Sequence, residues 1–188
     1  VAMVKALPGI EKVTLTTNGV LLKDQLKDLA EAGIDNINIS LDTLSKTEFH
    51  RITRREGLSS VLEGIEEALK YPQIGLKINC VPVIEDPENL VSIAGLAKKY
   101  PIHVRFIEMM PIGFGKDFVF RGEDEICSIL ERAYGIMIPD VNRYGNGPCH
   151  YYQIQGFQGR IGFISAMTHK FCDQCNRVRM TAEGYLKA

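Results

Sequence analysis

Cys172 and Cys175 stand two residues apart in the run Phe171-Cys172-Asp173-Gln174-Cys175-Asn176-Arg177-Val178-Arg179. Two thiols at that spacing can clamp one metal ion or one edge of a cluster. Thiolates are soft donors that select zinc or iron–sulfur clusters. The redox reading of such a pair places it on the first helix of a thioredoxin-like unit; here it follows a β-rich stretch, which weakens that reading. Two thiolates are an incomplete ligand set. Zinc takes four donors, whereas a cubane cluster can be held by three thiolates with one iron left open. His169 and Cys149 are further donors nearby in sequence, and a structural zinc site that includes His169 is the competing reading. Arg177 and Arg179 follow the second thiol at once. In an extended segment side chains alternate, so both guanidiniums would point to one side and could clamp a phosphate. Two plain surface arginines are the alternative.

Other chemistry-bearing residues fall within or at the ends of strand-like runs. Lys77 sits in Leu76-Lys77-Ile78-Asn79-Cys80-Val81, where a lysine is costly to bury without a partner. Either it reaches solvent or an anionic ligand meets it. Arg105, in Val104-Arg105-Phe106-Ile107, raises the same question. Thr16-Thr17-Asn18-Gly19 and Ser40-Leu41-Asp42 each close a strand at its carboxyl end, the edge at which parallel α/β sheets bind ligands, though turn formation accounts for Asn18-Gly19 and Asp42 equally well. Met109-Met110-Pro111 ends another strand. Phe114, Phe118 and Phe120 suit a packed or lid loop. His50, His103 and His150 read as structural. No Ser–His–Asp or Cys–His order suggests a nucleophile.

The elements that must position these residues follow a regular rhythm. Strands are predicted at Val13–Thr17, Ile34–Leu41, Leu76–Val81 and His103–Met109. Helices are predicted at Leu22–Ala32, Leu58–Tyr71, Pro87–Tyr100 and Ile126–Tyr134, from apolar residues at helical spacing. Strands alternating with helices imply βα units and a parallel sheet. The pattern changes after Pro139: two short strands, Tyr151–Ile154 and Arg160–Ser165, form a β-rich tail. This places a boundary near Asp140, with residues 1–139 in one part and 140–188 in the other. About four βα units are too few for a closed eight-stranded barrel, and a doubly wound sheet fits the pattern equally well.

Composition sets the remaining bounds. The 188 residues carry 22 basic and 23 acidic side chains, so bulk charge favours neither nucleic acid nor a membrane surface, and any anion site must be a local cluster. No apolar run approaches the roughly 20 residues of a membrane span. Five scattered cysteines argue against a disulfide framework and for a reducing, cytoplasmic setting. The opening Val1-Ala2-Met3-Val4 reads as a start in mid-pattern.

In order along nearly the whole chain, these segments resemble the GTP 3′,8-cyclases, radical S-adenosylmethionine (SAM) enzymes of molybdenum cofactor synthesis. The matching stretches are Thr16-Thr17-Asn18-Gly19, Asn38-Ile39-Ser40-Leu41-Asp42, Leu76-Lys77-Ile78-Asn79-Cys80, Arg105 to Pro111, Gly162-Phe163-Ile164-Ser165, and Phe171 to Arg179 with Thr181 to Lys187. The resemblance implies an α/β fold, an incomplete (β/α) barrel with a C-terminal extension that carries a second 4Fe–4S cluster. It implies that Cys172 and Cys175 ligate that cluster, with a third ligand at the first position after Ala188. It implies that Thr16, Lys77, Arg105, Arg177, Val178 and Arg179 contact GTP, and that Ser40 and Met110 lie on the SAM side. The implied reaction begins when a 5′-deoxyadenosyl radical takes hydrogen from ribose C3′, after which C3′ attacks guanine C8. The family's radical-generating cluster uses an upstream C-x-x-x-C-x-x-C motif followed by Gly-Gly-Glu. Neither occurs here, so that N-terminal cluster is expected only in a longer protein, and this stretch alone is expected to be inactive. A homodimer and transfer of product to the next enzyme of the pathway are further expectations. Another radical SAM enzyme with an auxiliary cluster and a different substrate, or a non-catalytic zinc or cluster module, are the competing functions.

Overall fold

The computed structural model describes residues 1–111, 121–145, 147–169 and 177–187. Strands form where apolar and polar residues alternate. In Asn36-Ile37-Asn38-Ile39-Ser40 the alternation is strict, in His103-Val104-Arg105-Phe106-Ile107 it holds as far as Phe106, and period two sends successive side chains to opposite faces. These runs are β2 (Asn36–Ser40) and β4 (His103–Ile107), joined by β1 (Thr14–Thr17), β3 (Gly75–Cys80) and β7 (Arg160–Ile164). The five are parallel in the order β1-β2-β3-β4-β7. Two further strands, β6 (His150–Ile154) and β5 (Met137–Asp140), complete a seven-stranded sheet, β6 lying antiparallel to both β7 and β5. The fold is therefore mixed α/β with a mostly parallel sheet.

The helices are α1 (Ala2–Lys5), α2 (Leu22–Glu31), α3 (Lys46–Thr53), α4 (Leu58–Ala68), α5 (Pro87–Lys99) and α6 (Glu123–Tyr134). The start of α5 illustrates local control. The Asp86 carboxylate accepts from the Glu88 amide at 3.0 Å, Pro87 occupies the first turn where no amide is needed, and Lys98 and Lys99 sit at the end where the helix dipole favours cations. Helix α4 buries Leu58, Val61, Ile65 and Ala68 on one side. Its Gly64 lets α2 approach closely: a Cβ there would lie 3.1 Å from Leu22 Cβ and 3.2 Å from the Gly19 carbonyl.

All these apolar helix faces meet one face of the sheet. Ile37, Ile39, Leu76, Ile78, Cys80, Val104, Phe106, Ile161 and Phe163 pack in a single core with Leu22, Leu26, Val61, Ile65, Leu90, Ile93, Ile126 and Leu130. Each buried aliphatic side chain contributes about 1.5–3 kcal/mol. The opposite face has no such apolar cover, and it presents Thr16, Asn38, Lys77, Asn79, His103, Arg105 and Arg160.

The structure differs from the sequence reading at four places, the first being the short helix α1, which was not anticipated. Helix α3 was not anticipated; Ser45 caps it by accepting from the Glu48 amide, and Arg54 ends it in the left-handed region at φ 56°. Strand β5 was not anticipated either, and three strands stand where two were expected. Pro139 argues against a central strand, but β5 is an edge, where a missing amide is tolerated. The alternation expected at Arg177 and Arg179 covers only Arg179: the strand is β8 (Arg179–Met180), paired antiparallel with β9 (Leu186–Lys187). Among the described residues no helix is long and apolar enough to cross a membrane.

Candidate functional site

Register brings the polar residues into rows. Thr16 pairs with Asn38, Asn38 with Lys77, Lys77 with His103, and His103 with Arg160. A second row runs Ser40, Asn79, Arg105, Gly162 and Tyr151. Neighbouring strands lie about 4.8 Å apart, so each row is a ladder of polar side chains on one surface. Four expected site residues, Thr16, Ser40, Lys77 and Arg105, thus share one face.

Lys77 is 6% exposed, and among the described residues no carboxylate lies within ion-pair reach of it. Its ammonium donates to the Tyr144 carbonyl. Burial pulls its pKa below the usual lysine range, and the nearby Arg105 and Lys12 charges add to the effect. Arg105 donates through Nε to Asn79 Oδ1 at 2.8 Å. Asn38 donates to the Thr16 hydroxyl at 3.2 Å, and its own buried carbonyl oxygen accepts from nothing described. A buried cation served only by a neutral acceptor favours an anion as visitor.

The segment after β5 folds back over this face. Tyr144 donates to Asp140 Oδ2 at 2.8 Å, and Arg160 Nε donates to the same oxygen at 2.6 Å. Those bonds hold the Asp140 carboxyl well below the usual range, so the one carboxylate here is already neutralised. His103 clusters with the rings of Tyr144 and Tyr151, with centroids 4.4 and 5.4 Å away and the two tyrosines 5.0 Å from each other. Burial, then the charges of Lys77, Arg160 and Arg105, push its pKa down to about 4, so its imidazole is neutral at pH 7. Cys149 shares this face: Gly162 makes room for it, since a Cβ at 162 would lie 2.6 Å from its sulfur. Burial raises the Cys149 thiol to about 11, which leaves it protonated at neutral pH.

At the carboxyl edge of the sheet, Ser40 is exposed and Met110, just past β4, is 49% exposed. Asp42 accepts from the Val81 amide at 2.8 Å; burial raises its pKa against that bond. Two carboxylates pin the turn before the thiol pair. Glu108, 4% exposed, accepts from the Met167 amide at 2.8 Å and the Thr168 amide at 3.0 Å. Glu123, also 4% exposed, is bound by the Ser165 hydroxyl and His150; burial alone would raise its pKa, but those bonds hold it below the usual range. A cavity of about 890 Å³ opens between the loops after β2 and β3, lined by Glu48, Glu85, Asp86 and Glu88. Its one arginine, Arg51, is tied to Glu48 at 2.7 Å, so this cavity repels a polyphosphate.

Cys172 and Cys175 lie outside the described residues, as do Phe114, Phe118 and Phe120. Arg177 and Arg179 are exposed, and Val178 is 66% exposed. Among the described residues, β8 pairs only with β9, and no group of three His, Cys, Asp or Glu side chains is disposed to hold a metal. His169, the expected alternative zinc donor, has Nδ1 3.1 Å from the Thr168 hydroxyl. The donor chemistry for a cluster thus rests on the thiol pair itself. Two thiols suit iron–sulfur coordination.

Sequence reasoning missed Asn38, Asn79, His103 and Tyr144 as parts of this surface. The signal that could have found the first three is the strict alternation itself, which assigns every second residue of β2, β3 and β4 to one face.

Comparison with known proteins decides the family. The model of the radical SAM superfamily matches residues 1–97. The chain belongs to the radical SAM superfamily. A second model, Molybdenum Cofactor Synthesis C, matches residues 102–188, so the two matches meet between α5 and β4. Among similar radical SAM proteins, the GTP 3′,8-cyclase of Clostridium perfringens strain SM101 is 44% identical over 186 residues, covering 98% of this chain and 57% of that protein. The GTP 3′,8-cyclase of Syntrophomonas wolfei is 42% identical over 192 residues, covering 100% of the chain and 58% of that protein. That of Moorella thermoacetica is 40% identical over 186 residues, covering 97% of the chain and 57% of that protein. This radical SAM chain therefore spans 57–58% of the length of these three curated relatives.

Proposed function

We propose that this chain supplies the substrate-holding surface of a GTP 3′,8-cyclase in molybdenum cofactor synthesis. The observation that carries the reading is the polar sheet face, where buried Lys77 has Thr16 in its own row and Arg105 in the next. An unpaired buried cation next to a second cation suits the phosphate tail of a nucleotide, and the relatives that match the chain end to end carry that enzyme's name.

In this reading the sheet is the wall of a partial (β/α) barrel. A doubly wound sheet is clad by helices on both faces; here the helical core meets one face only, and the other is polar. Residues 1–139 supply β1 to β4 and most of β5 of that wall, and the part from residue 140 adds β6 and β7 to it and carries the thiol pair in its sequence. Thr16, Lys77 and Arg105 bind GTP, joined by Arg177, Val178 and Arg179. Ser40 and Met110 contact SAM at the carboxyl edge, and Cys172 and Cys175 hold a 4Fe–4S cluster. In a longer protein, SAM with a separate N-terminal cluster would supply the radical that starts ring closure. The residues of this chain orient the nucleotide: Lys77 and Arg105 fix its charged tail while the neutral His103 imidazole and protonated Cys149 leave that field positive. A cytoplasmic setting agrees with Cys80, Cys127 and Cys149 being free thiols. A homodimer and delivery of the product to the next enzyme of the pathway complete the proposal.

The test is calorimetric titration of GTP against the native protein and a variant carrying Arg177→Ala and Arg179→Ala. Affinity falls by about tenfold or more, given that each charge-assisted contact contributes roughly 1.5–3 kcal/mol. Unchanged affinity refutes the clamp. Iron and sulfide analysis after anaerobic reconstitution tests the thiol pair independently, and a preparation holding zinc alone would sink the cluster assignment.

A further inference from the structure

Two buried carboxylates direct their hydrogen bonding to one short turn, Ser165 to His169, which follows β7 and precedes the thiol pair in sequence. Glu108 directly follows β4 and Glu123 opens α6, so they stand at the two ends of the connection between those elements. Each is 4% exposed. Glu108 accepts from the Met167 amide at 2.8 Å, the Thr168 amide at 3.0 Å and the Thr168 hydroxyl. All three donors belong to the turn. Glu123 accepts from the Ser165 hydroxyl on one oxygen, and from His150 at 2.6 Å and Tyr152 at 3.2 Å on the other. His169 Nδ1 lies 3.6 Å from the oxygen that holds Ser165. The turn also closes on itself, the His169 amide donating to the Ser165 carbonyl at 3.1 Å.

Fold stability alone does not call for this arrangement. A buried charge with its partners adds little net stability over a well-packed apolar replacement. What it adds is direction, because each oxygen accepts along its lone-pair lines. Among the described residues the Glu108 side chain accepts only from the turn, whose donors lie 59 and 60 residues further along the chain. Cys172 comes three residues after His169. Side chains that ligate a metal are oriented by contacts one layer out, and losing such a contact weakens the metal.

We infer that Glu108 and Glu123 are positioning residues: they clasp the turn from both ends of the β4–α6 connection and so set how the chain leaves His169 to offer both thiols to one metal. The inference rests on the reading of Cys172 and Cys175 as metal ligands, and the experiment keeps the clasp and the cluster assignment apart.

Cobalt(II) is titrated anaerobically against the native protein, with cobalt–thiolate absorption as the readout and Cys172→Ser as the variant that abolishes the band. The clasp predicts that Glu108→Ala and Glu123→Ala each weaken cobalt binding about tenfold. Glu108→Gln, which keeps an acceptor for the turn, stays close to native. Ser165→Ala with Thr168→Val cuts the hydroxyl bonds from the turn's side, leaves both carboxylates in place and weakens cobalt in the same direction, which covers an alanine variant that does not fold. Val61→Ala, in the helical core, lowers the urea midpoint and leaves cobalt affinity unchanged. The clasp is refuted if the native protein shows no cobalt–thiolate band, if the band survives Cys172→Ser, if the clasp variants bind cobalt as the native protein does, or if Val61→Ala weakens it as much as they do. Iron and sulfide analysis of the same proteins after reconstitution separates the readings. Clasp-dependent cobalt binding in a protein that takes up no iron and sulfide leaves the clasp standing and removes the cluster assignment. Uptake of iron and sulfide with cobalt affinity indifferent to Glu108 and Glu123 does the reverse.

Discussion

Lowering the pH from 7.5 to 5 should destabilise this protein through one residue, His103. Its imidazole packs against two tyrosine rings on a face that also carries Lys77, Arg105 and Arg160, with Asp140 as the single opposing charge, already bound by Arg160. Burial and that positive field bring its pKa from 6.5 to about 4. The sign follows directly. The folded state resists protonation while the unfolded chain accepts a proton near pH 6.5, so the stability is complete above that pH. It is lost as pH falls toward 4, and no further loss comes from this group below that. A difference of about 2.5 pK units corresponds to about 3 kcal/mol at the acid limit, of which about 2 kcal/mol is lost by pH 5. Burial raises the Asp42 carboxyl, and other histidines are present, so the difference between the native protein and a His103 variant, and not the pH interval alone, isolates His103. Urea denaturation of the native protein and of His103→Gln at both pH values measures the effect. The native protein should lose about 2 kcal/mol more than the variant. Equal losses would show that His103 is well solvated or paired, and the picture of an uncompensated positive face would fail with it.

Two further perturbations probe the packing around the site. Gly162→Ala would put a Cβ 2.6 Å from Cys149 Sγ and 2.8 Å from the Tyr151 ring; with Tyr151 only 4% exposed, the cost should be about 1–3 kcal/mol, read by chemical denaturation, and a neutral result would mean that Tyr151 can move freely. Glu108→Ala would strip the Met167 and Thr168 amides of their shared acceptor and should cost about 2–4 kcal/mol with loss of hydrogen-exchange protection at both amides. Glu108→Gln keeps one carbonyl oxygen for those amides and should retain most of the protection. If the alanine variant is as protected as the native protein, the turn before the thiol pair is held by something else.

How much of this was legible beforehand depended on whether a residue's role was set locally or by its neighbours across the sheet. The βα rhythm was legible because apolar spacing in α2, α4 and α5 and alternation in β2 and β4 are local patterns, and the parallel order β1-β2-β3-β4 follows from them. Lys77 and Arg105 stood out because a charge inside an apolar run is locally anomalous. Strand β5 did not, because Met137 to Asp140 is short and contains a proline; only pairing with β6 makes it a strand. His103 looked structural since nothing in its own segment marks it. Its neutrality comes first from burial and then from Lys77, Arg160 and Arg105, and Tyr144 reaches it from a loop some forty residues later in the chain. The same distance hides Lys12 and Arg143, which are ordinary surface cations in sequence and become a pair only where the segment after β5 returns to the start of β1. Charge accumulates here by tertiary arrangement, with each cation innocuous in its own segment. The functional surface of this sheet is therefore better read from register than from motif: once β2, β3 and β4 are aligned, the alternate positions are mostly polar, and a face free of the helical core can gather the charges that a nucleotide requires.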